Sequence, residues 1–341
     1  MAARPEKITG GADGIRLVKL FIFLLPGLVA ASIGGAATFT ENFSAGPLQN
    51  GWRIFGDTNL FQWDSTNQNL SVTWDSAQTN SYFYKSFGTI LAKSDDFCLS
   101  FDLQLSDIVI GVNPAKTNTF EIAVGFINFM NATNSGLERG TGRTSSGARN
   151  TCEFDYFPDS GHGATISPTI ISSNNQFATT FAFPFVLDPG ALFHVTINYT
   201  ATNQTLHTTM TRNGAPFADG AIPDVLLGSS FSDFRLDQFA VINWSDAGAD
   251  GSLLAHGTLD NFTVTVPPPP VQNLTGAFSN NVWQAQFISQ SNWLYTLEAT
   301  ADFISWNDVS TATSGNGTNL FLPDNNPSPD KSFYRVRADR P

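Results

Sequence analysis

The feature that most constrains this fold is a repeated alternation of apolar and polar residues. Its period of two is the side-chain period of a β-strand. Turn-forming sequences separate the alternating segments, and no helical period continues for more than a turn or two. The segments are 70–74, 97–105, 120–128, 151–157, 192–200, 205–212, 234–243 and 259–266. We therefore predict an all-β chain.

The composition agrees with strands and turns. Only 13% of the residues are charged, whereas 41% are hydrophobic, so the chain can bury a large core. Phenylalanine occurs 30 times and methionine 3 times. Aromatic residues favour strands, and the abundant glycine, asparagine and serine favour turns. This composition argues against a helical bundle and against a disordered chain.

The net charge is −12. A field of that sign repels a phosphate backbone, and no cluster of lysine and arginine interrupts it. We therefore expect no nucleic-acid partner.

The N-terminus has the pattern of an export signal. A basic stretch ends at Lys19, and residues 20–33 are apolar but shorter than the ~20 residues of a bilayer span. The small residues Gly35, Ala36 and Ala37 provide a cleavage site before Thr38. We predict a signal peptide over residues 1–37 and a secreted or cell-surface protein with no remaining membrane span. The alternative is an anchor that stays attached.

Four consecutive prolines at 267–270 divide the rest of the chain. Such a run cannot join a sheet and acts as a stiff linker. More than ten strands within residues 38–266 predict a jelly-roll sandwich of two antiparallel sheets. Residues 271–341 predict a small β-sandwich module of the immunoglobulin or fibronectin type. Its candidate strands are 282–288, 293–299, 306–310, 318–322 and 332–337.

Two cysteines, Cys98 and Cys152, remain after the predicted cleavage. In their segments Cys98 lies with the polar residues and Cys152 with the apolar ones. Residues on opposite faces of one sheet cannot form a disulfide, so the pattern favours two free thiols, although an oxidising compartment permits a bridge.

Several segments resemble a known superfamily. Glu153-Phe154-Asp155, the hairpin 192–212 and the strand 257–262 resemble concanavalin A-like lectins and glucanases, the laminin G-like jelly rolls. The tail sequences 295–298 and 333–336, with Trp306, are similar to a small β module of exported bacterial surface proteins. The resemblance implies a jelly roll and carbohydrate as the class of ligand.

Glycoside hydrolases of this superfamily carry Glu-x-Asp-x-Glu on one strand. Alternation places Glu153, Asp155 and residue 157 on one face. Hydrolysis requires two carboxylates that flank the glycosidic bond. Because position 157 is Phe157, the expected acid/base is missing, and this departure argues against an enzyme.

The resemblance to legume-type lectins implies a metal site on the same strand. Their pattern is Glu-x-Asp-x-aromatic-x-Asn, in which the aromatic residue supplies a backbone oxygen. Glu153, Asp155 and Phe157 match this pattern, and Asp159 occupies the fourth position with Asp in place of Asn. The later ligand positions hold Gly163 and Ile170, so we expect one calcium site at most. The alternative is that Glu153 and Asp155 are polar residues of a solvated face.

A second candidate site is the loop that begins at Trp244. An aromatic ring with the nearby carboxylates of Asp246 and Asp250 is suited to the rim of a glycan site. By contrast, Trp74 is in phase with apolar neighbours and is expected in the core.

Other clusters give weaker signals. His194 and His207 are positioned to face each other across a hairpin, more in the manner of a polar pair than of metal ligands. Residues 139–143 are rich in glycine and arginine but lack the strand and helix of a phosphate loop.

Taken together, these features predict an exported, non-catalytic protein that binds glycans or polysaccharide or mediates adhesion, with the assistance of calcium. The alternatives are a structural cell-surface protein without a small ligand and a hydrolase or lyase of the same fold.

Overall fold

The computed structural model describes residues 36–139, 148–328 and 332–341, which belong to one compact unit. The predicted export signal lies almost wholly outside these residues and stays a prediction. No helix in the described part of the chain is long and apolar enough to cross a bilayer.

Sixteen strands lie among the described residues before the proline run. They are β1 (Ala37–Glu41), β2 (Arg53–Phe55), β3 (Phe61–Asp64), β4 (Asn69–Asp75), β5 (Ser81–Leu91), β6 (Phe97–Ile110), β7 (Ile122–Ile127), β8 (Thr151–Phe157), β9 (Thr165–Ile171), β10 (Phe177–Thr179), β11 (Leu192–Thr200), β12 (Thr205–Arg212), β13 (Ala215–Phe217), β14 (Val225–Leu226), β15 (Leu236–Asn243) and β16 (Leu253–Val266).

These strands form two antiparallel sheets. The nine-stranded sheet has the order β13-β12-β11-β6-β16-β4-β3, with β1 paired to β16 and β14 paired to β12. The seven-stranded sheet has the order β10-β9-β8-β7-β15-β5-β2. The predicted two-sheet jelly-roll sandwich is therefore confirmed.

Aromatic side chains from both sheets fill the space between them. The rings of Phe101 on β6 and Phe154 on β8 are 6.0 Å apart, and those of Phe239 on β15 and Phe262 on β16 are 4.9 Å apart. Each contributes about 2–3 kcal/mol by burial. Trp74 is also buried, as predicted.

The pattern of alternation did not identify strand β5, which is covered on its outer face near its first residues. Tyr82 and Phe83 are consecutive residues of β5 and point to opposite faces of the sheet, yet both are buried. Phe83 lies in the core between the sheets. Tyr82 lies on the outer face of the seven-stranded sheet, where residues 128–139, here called the covering segment, shield it. Because residues 81–83 at the start of β5 are buried on both faces, this stretch does not show the period of two.

The covering segment begins with α1 (Phe129–Ala132), the one α-helix of the described residues. The Asn128 side chain accepts a hydrogen bond from the Asn131 amide at 3.1 Å and caps this turn. Two 3₁₀ turns, Pro47–Asn50 and Thr58–Leu60, precede it in the chain.

The C-terminal strands follow the proline run and form two small antiparallel sheets. They are β17 (Val271–Ser279), β18 (Val282–Ser289), β19 (Leu294–Thr300), β20 (Asn307–Asp308), β21 (Thr313–Ser314), β22 (Asn319–Asp324) and β23 (Phe333–Asp339). One sheet has the order β17-β18-β22; the other has β20-β19-β21, with β23 paired to β19. Buried side chains such as Phe287, Tyr295 and Leu322 form a core of their own. Independent folding of residues 271–341 remains a prediction.

The last residues of the chain are attached to the large sandwich. The Arg340 guanidinium donates to the backbone oxygen of Ile90 at 3.0 Å and lies 2.7 Å from the Asp95 carboxylate. Both side chains of this ion pair are largely buried.

The two cysteines are free and lie in different sheets. Cys98 is half-buried on the outer face of β6, whereas Cys152 is buried on the inner face of β8. The predicted difference in face is confirmed. Burial raises the pKa of the Cys152 thiol, which keeps it protonated and unreactive.

We predict that Arg340→Ala lowers the free energy of unfolding by about 3 kcal/mol, because Asp95 would stay buried without its cation. The matched control is Arg212→Ala, since Arg212 pairs with Asp188 at the surface and its loss should cost about 0–1 kcal/mol. Urea denaturation of the full chain measures both values. Equal effects of the two substitutions would contradict the structural role of the Arg340 pair.

Candidate functional site

Two carboxylates point away from the core on strand β8. Phe154 faces the opposite sheet, so Glu153 and Asp155 lie on the outer face, as alternation predicted. Their surroundings match neither a calcium site nor a solvated polar face, the two possibilities that the sequence left open. Glu153 is 0% exposed and Asp155 is 2% exposed, so the alternative of a solvated polar face is wrong.

The end of the covering segment shields these carboxylates. Arg139 is 5% exposed and forms a bidentate pair with Glu121, with Nε–Oε1 at 2.5 Å and Nη2–Oε2 at 3.2 Å. The same Nη2 donates to Glu153 Oε1 and lies 3.6 Å from Asp155 Oδ2. One guanidinium therefore contacts three carboxylates, which come from β8 and from the residue before β7.

Trp244 reaches the same carboxylate from the other side. Its indole Nε1 donates to Glu153 Oε2 at 3.1 Å, and the Arg139 guanidinium lies 5.2 Å from its ring. The Tyr82 ring packs edge-on against it, with centroids 5.5 Å apart. Trp244 is 2% exposed, so it supports the site from beneath and does not form the predicted rim.

The charges of this cluster are strongly coupled. Burial opposes the charge of Arg139, but Glu121, Glu153 and Asp155 outweigh it and raise the pKa of Arg139, which stays protonated. Burial is the main cause that raises the pKa of Glu153 to about 7, although Arg139 acts in the opposite direction. Burial and the charge of Glu153 raise the pKa of Asp155 as well. The cluster therefore holds a proton at mildly acidic pH.

These residues do not fit a calcium ion. The guanidinium of Arg139 already fills the position between the carboxylates. Phe157 is half-buried at the end of the strand, and exposed Asp159 accepts a hydrogen bond from the Gly161 amide of its own turn at 3.0 Å. Among the residues the structure describes, no group of three or more histidine, cysteine, aspartate or glutamate side chains is arranged to hold a metal.

The remaining loop residues have separate roles. Asp246 is buried; its carboxylate lies 2.8 Å from Lys116 Nζ and accepts a hydrogen bond from Ser76 Oγ at 2.8 Å. These contacts fix the loop after β15. Asp250 is exposed and lies outside the pocket described next. The structure therefore does not bring Trp244, Asp246 and Asp250 together as a binding rim.

A pocket of about 380 Å³ opens beside this cluster, between the covering segment and the ends of β2, β5 and β15. Its walls come from four stretches of chain. They are Phe55 with Gly56, Thr79 with Asn80, residues 132–135 with Leu137 and Glu138, and Ser245 with Ala247. Two of these walls are tied to Glu153, because Arg139 follows Glu138 and Trp244 precedes Ser245.

The lining of the pocket combines one aromatic ring with polar groups. Phe55 is 36% exposed and is supported by the rings of Tyr82 and Phe129. Asn80 is already used, since its amide oxygen accepts from the Ser245 backbone and its nitrogen donates to a backbone oxygen. The carboxylate of exposed Glu138 has no partner among the described residues.

The free hydroxyl groups complete this set of donors and acceptors. The side chains of Thr79, Ser135 and Ser245 line the pocket and form no hydrogen bond within the described chain. Asn134 uses its amide oxygen, which accepts from the Gly136 backbone at 2.9 Å, so its amide NH₂ remains available. The pocket can therefore donate and accept hydrogen bonds around one exposed ring.

Sequence reasoning missed Arg139, Phe55 and Glu138. One signal for Arg139 was available, because only three basic residues occur between Lys116 and Arg212, and buried carboxylates require a counter-charge. No sequence signal distinguishes Phe55 from the other phenylalanines, because its exposure depends on where the covering segment lies.

Three of the four histidines pair with aspartates. His194 Nδ1 lies 2.7 Å from Asp102, and His207 Nδ1 lies 2.6 Å from Asp224. The predicted meeting of His194 and His207 is wrong, because the hairpin register places His207 opposite Asn198.

Comparison with known proteins gives likenesses of fold. No protein-family model and no curated protein matches the chain. Among solved structures, peanut lectin with a 9mer peptide matches at TM-score 0.38 and 14% identity, over 68% of this chain and 98% of that one. A protein of unknown function with a galectin-like fold from Bacillus subtilis matches at TM-score 0.39 and 13% identity, over 69% and 99%.

Lectin UEA-II complexed with galactose also matches, at TM-score 0.38 and 13% identity, over 68% of this chain and 99% of that one. These neighbours are lectins and a galectin-like protein, the class that the sequence resemblance predicted. At TM-scores below 0.5, they carry no argument about what this chain binds. The resemblance of the C-terminal module remains a prediction.

We predict that Glu153→Gln removes a pH dependence of stability. The folded state of the wild type keeps a proton on Glu153 up to about pH 7, whereas the unfolded chain releases it near pH 4.3, so this residue's contribution falls as the pH rises between these values. Between pH 5 and pH 8, the free energy of unfolding of the wild type should therefore fall by about 2–4 kcal/mol more than that of Glu153→Gln.

Urea denaturation of both proteins at the two pH values measures this difference. Glu298→Gln is the matched control, because Glu298 is also buried and bound by arginines but lies in the C-terminal sheets. A difference between wild type and Glu153→Gln that does not change with pH would contradict the prediction.

Proposed function

We propose that this protein binds carbohydrate without cleaving it, in the pocket between the covering segment and the loop after β15. The observation that carries the proposal is the exposed ring of Phe55 beside free polar groups in one concavity. A sugar ring presents a face of C–H groups, which packs on an aromatic ring, and hydroxyl groups at its edge. The volume of about 380 Å³ lies in the range of small-molecule sites.

The charge of the pocket favours a neutral glycan. Glu138 is the one charged side chain in the described lining, and the chain as a whole carries a net charge of −12. A carboxylate accepts strong, charge-assisted hydrogen bonds from sugar hydroxyls. The same carboxylate repels sulfated sugars and uronic acids. We therefore expect neutral sugars to bind and acidic sugars to be rejected.

The arrangement of carboxylates favours binding over hydrolysis. A glycosidase requires two carboxylates on either side of the scissile bond. In the described lining, Glu138 is the one carboxylate that faces the pocket. Glu153 and Asp155 do not line the pocket; they are buried and lie against Arg139.

The proposed place of action is outside the cytoplasm. The apolar segment 20–33 with its small-residue cleavage site supports export before the protein binds its ligand. Sugar chains at a cell surface or in the surrounding medium are then the accessible partners.

We predict that Phe55→Ala weakens glycan binding about tenfold, or about 1.4 kcal/mol, because the sugar loses its aromatic contact. A glycan array selects a ligand for the wild type, and calorimetry then gives Kd for each variant. Phe303→Ala is the matched control, since Phe303 is 60% exposed but lies in the loop between β19 and β20. This variant should bind the glycan as the wild type does.

Glu138→Gln should also reduce affinity for neutral sugars and should weaken the rejection of acidic ones. Melting curves confirm that the variants are folded. Wild-type affinity in Phe55→Ala would overturn the assignment of the pocket. A wild type that binds no glycan on the array would favour a structural surface protein instead.

A further inference from the structure

We propose that the Arg139 guanidinium takes the place in which the sequence predicted calcium, so that this end of the sandwich assembles without a metal ion. The proposal rests on the geometry of the buried cluster and is independent of whether the pocket binds a glycan.

The acidic residues of this cluster converge on one point. Glu121 precedes β7, whereas Glu153 and Asp155 lie on β8, and each places a carboxylate oxygen within 3.6 Å of the same guanidinium. A calcium site gathers carboxylate oxygens around one positive charge in the same way. Here the positive charge belongs to the chain itself.

A guanidinium suits this position because its donors form a rigid planar fork. Nε and Nη2 of Arg139 bind the two oxygens of Glu121, and Nη2 also donates to Glu153. Arg139 is 18 residues from Glu121 and 14 residues from Glu153 in the sequence. The pairs therefore fix the end of the covering segment on the sheet, as a shared cation would fix a loop.

The groups around the guanidinium already have partners of their own. The Trp244 ring lies against one side of the guanidinium and uses its N–H on Glu153. Asp159, the fourth residue of the predicted metal pattern, is exposed and bonded to its own turn. A calcium ion would have to displace Arg139 or lie beside it against repulsion between like charges.

The cluster has more carboxylates than cations. Asp155 Oδ1 is buried and makes no hydrogen bond to the described residues. Removal of the guanidinium would leave three carboxylates without a counter-charge. They are not arranged as a metal site in the wild type, but carboxylate oxygens are the ligands that calcium prefers, so the ion can draw them together. Loss of Arg139 should therefore convert a metal-independent cluster into a metal-dependent one.

The test compares the full-length wild type with Arg139→Ala in millimolar calcium and in chelator at about pH 8, where alkaline conditions favour ionised carboxylates. The melting temperature of the wild type should be the same in both. That of Arg139→Ala should be lower in chelator and rise by several degrees in calcium. Terbium should show luminescence sensitised by Trp244 in Arg139→Ala, and this signal should disappear when Trp244→Phe is added.

Two control variants separate this effect from a general loss of charge. Arg139→Lys keeps the cation, and its melting temperature should be the same in calcium and in chelator. Lys116→Ala removes the cation that pairs with the single carboxylate of Asp246. Calcium should not raise the melting temperature of this variant.

Three results would overturn the proposal. One is a wild type whose melting temperature rises with calcium and loses the rise in Asp155→Asn. Another is a folded Arg139→Ala that calcium does not stabilise. The third applies if Arg139→Ala stays unfolded in both buffers. Arg139→Gln, which fills more of the position and keeps all three carboxylates, is then compared in calcium and in chelator, and the absence of any calcium effect in that variant would overturn the proposal.

Discussion

The contact of one buried guanidinium with three buried carboxylates determines how the outer face of the seven-stranded sheet is covered. Unpaired charges in this position would carry a large desolvation cost, so Glu153 and Asp155 require a partner. Arg139 provides it and, by doing so, holds the end of the covering segment against the sheet. The position of the covering segment then decides which parts of β2, β5 and β15 remain accessible.

The same contact connects the core to the pocket. Glu153 accepts hydrogen bonds from Arg139 and from Trp244, which adjoin two different walls of the pocket in the chain, so two loops that are distant in sequence keep a fixed spacing. Because Arg139 and Trp244 are buried, the pocket is lined by their neighbours in the chain, exposed Glu138 and half-buried Ser245. A rigid charged layer beneath polar loops provides a preorganised surface for a ligand.

The sequence predicted the sandwich and the face on which Glu153 lies, because alternation determines both wherever one face is solvated. The alternation did not identify β5, because the first residues of this strand are covered on both faces. Sequence reasoning also assigned Trp244 to a rim, although the ring is buried with its N–H on a carboxylate. The position of Arg139 depends on the path of the covering segment across the sheet, which no local pattern shows.

A crystal structure of the protein grown in millimolar calcium tests the central claim most directly. The account predicts the Arg139 guanidinium between Glu121, Glu153 and Asp155, with no ion at that position. A calcium ion bound by these carboxylates, with Arg139 turned away from them, would contradict it.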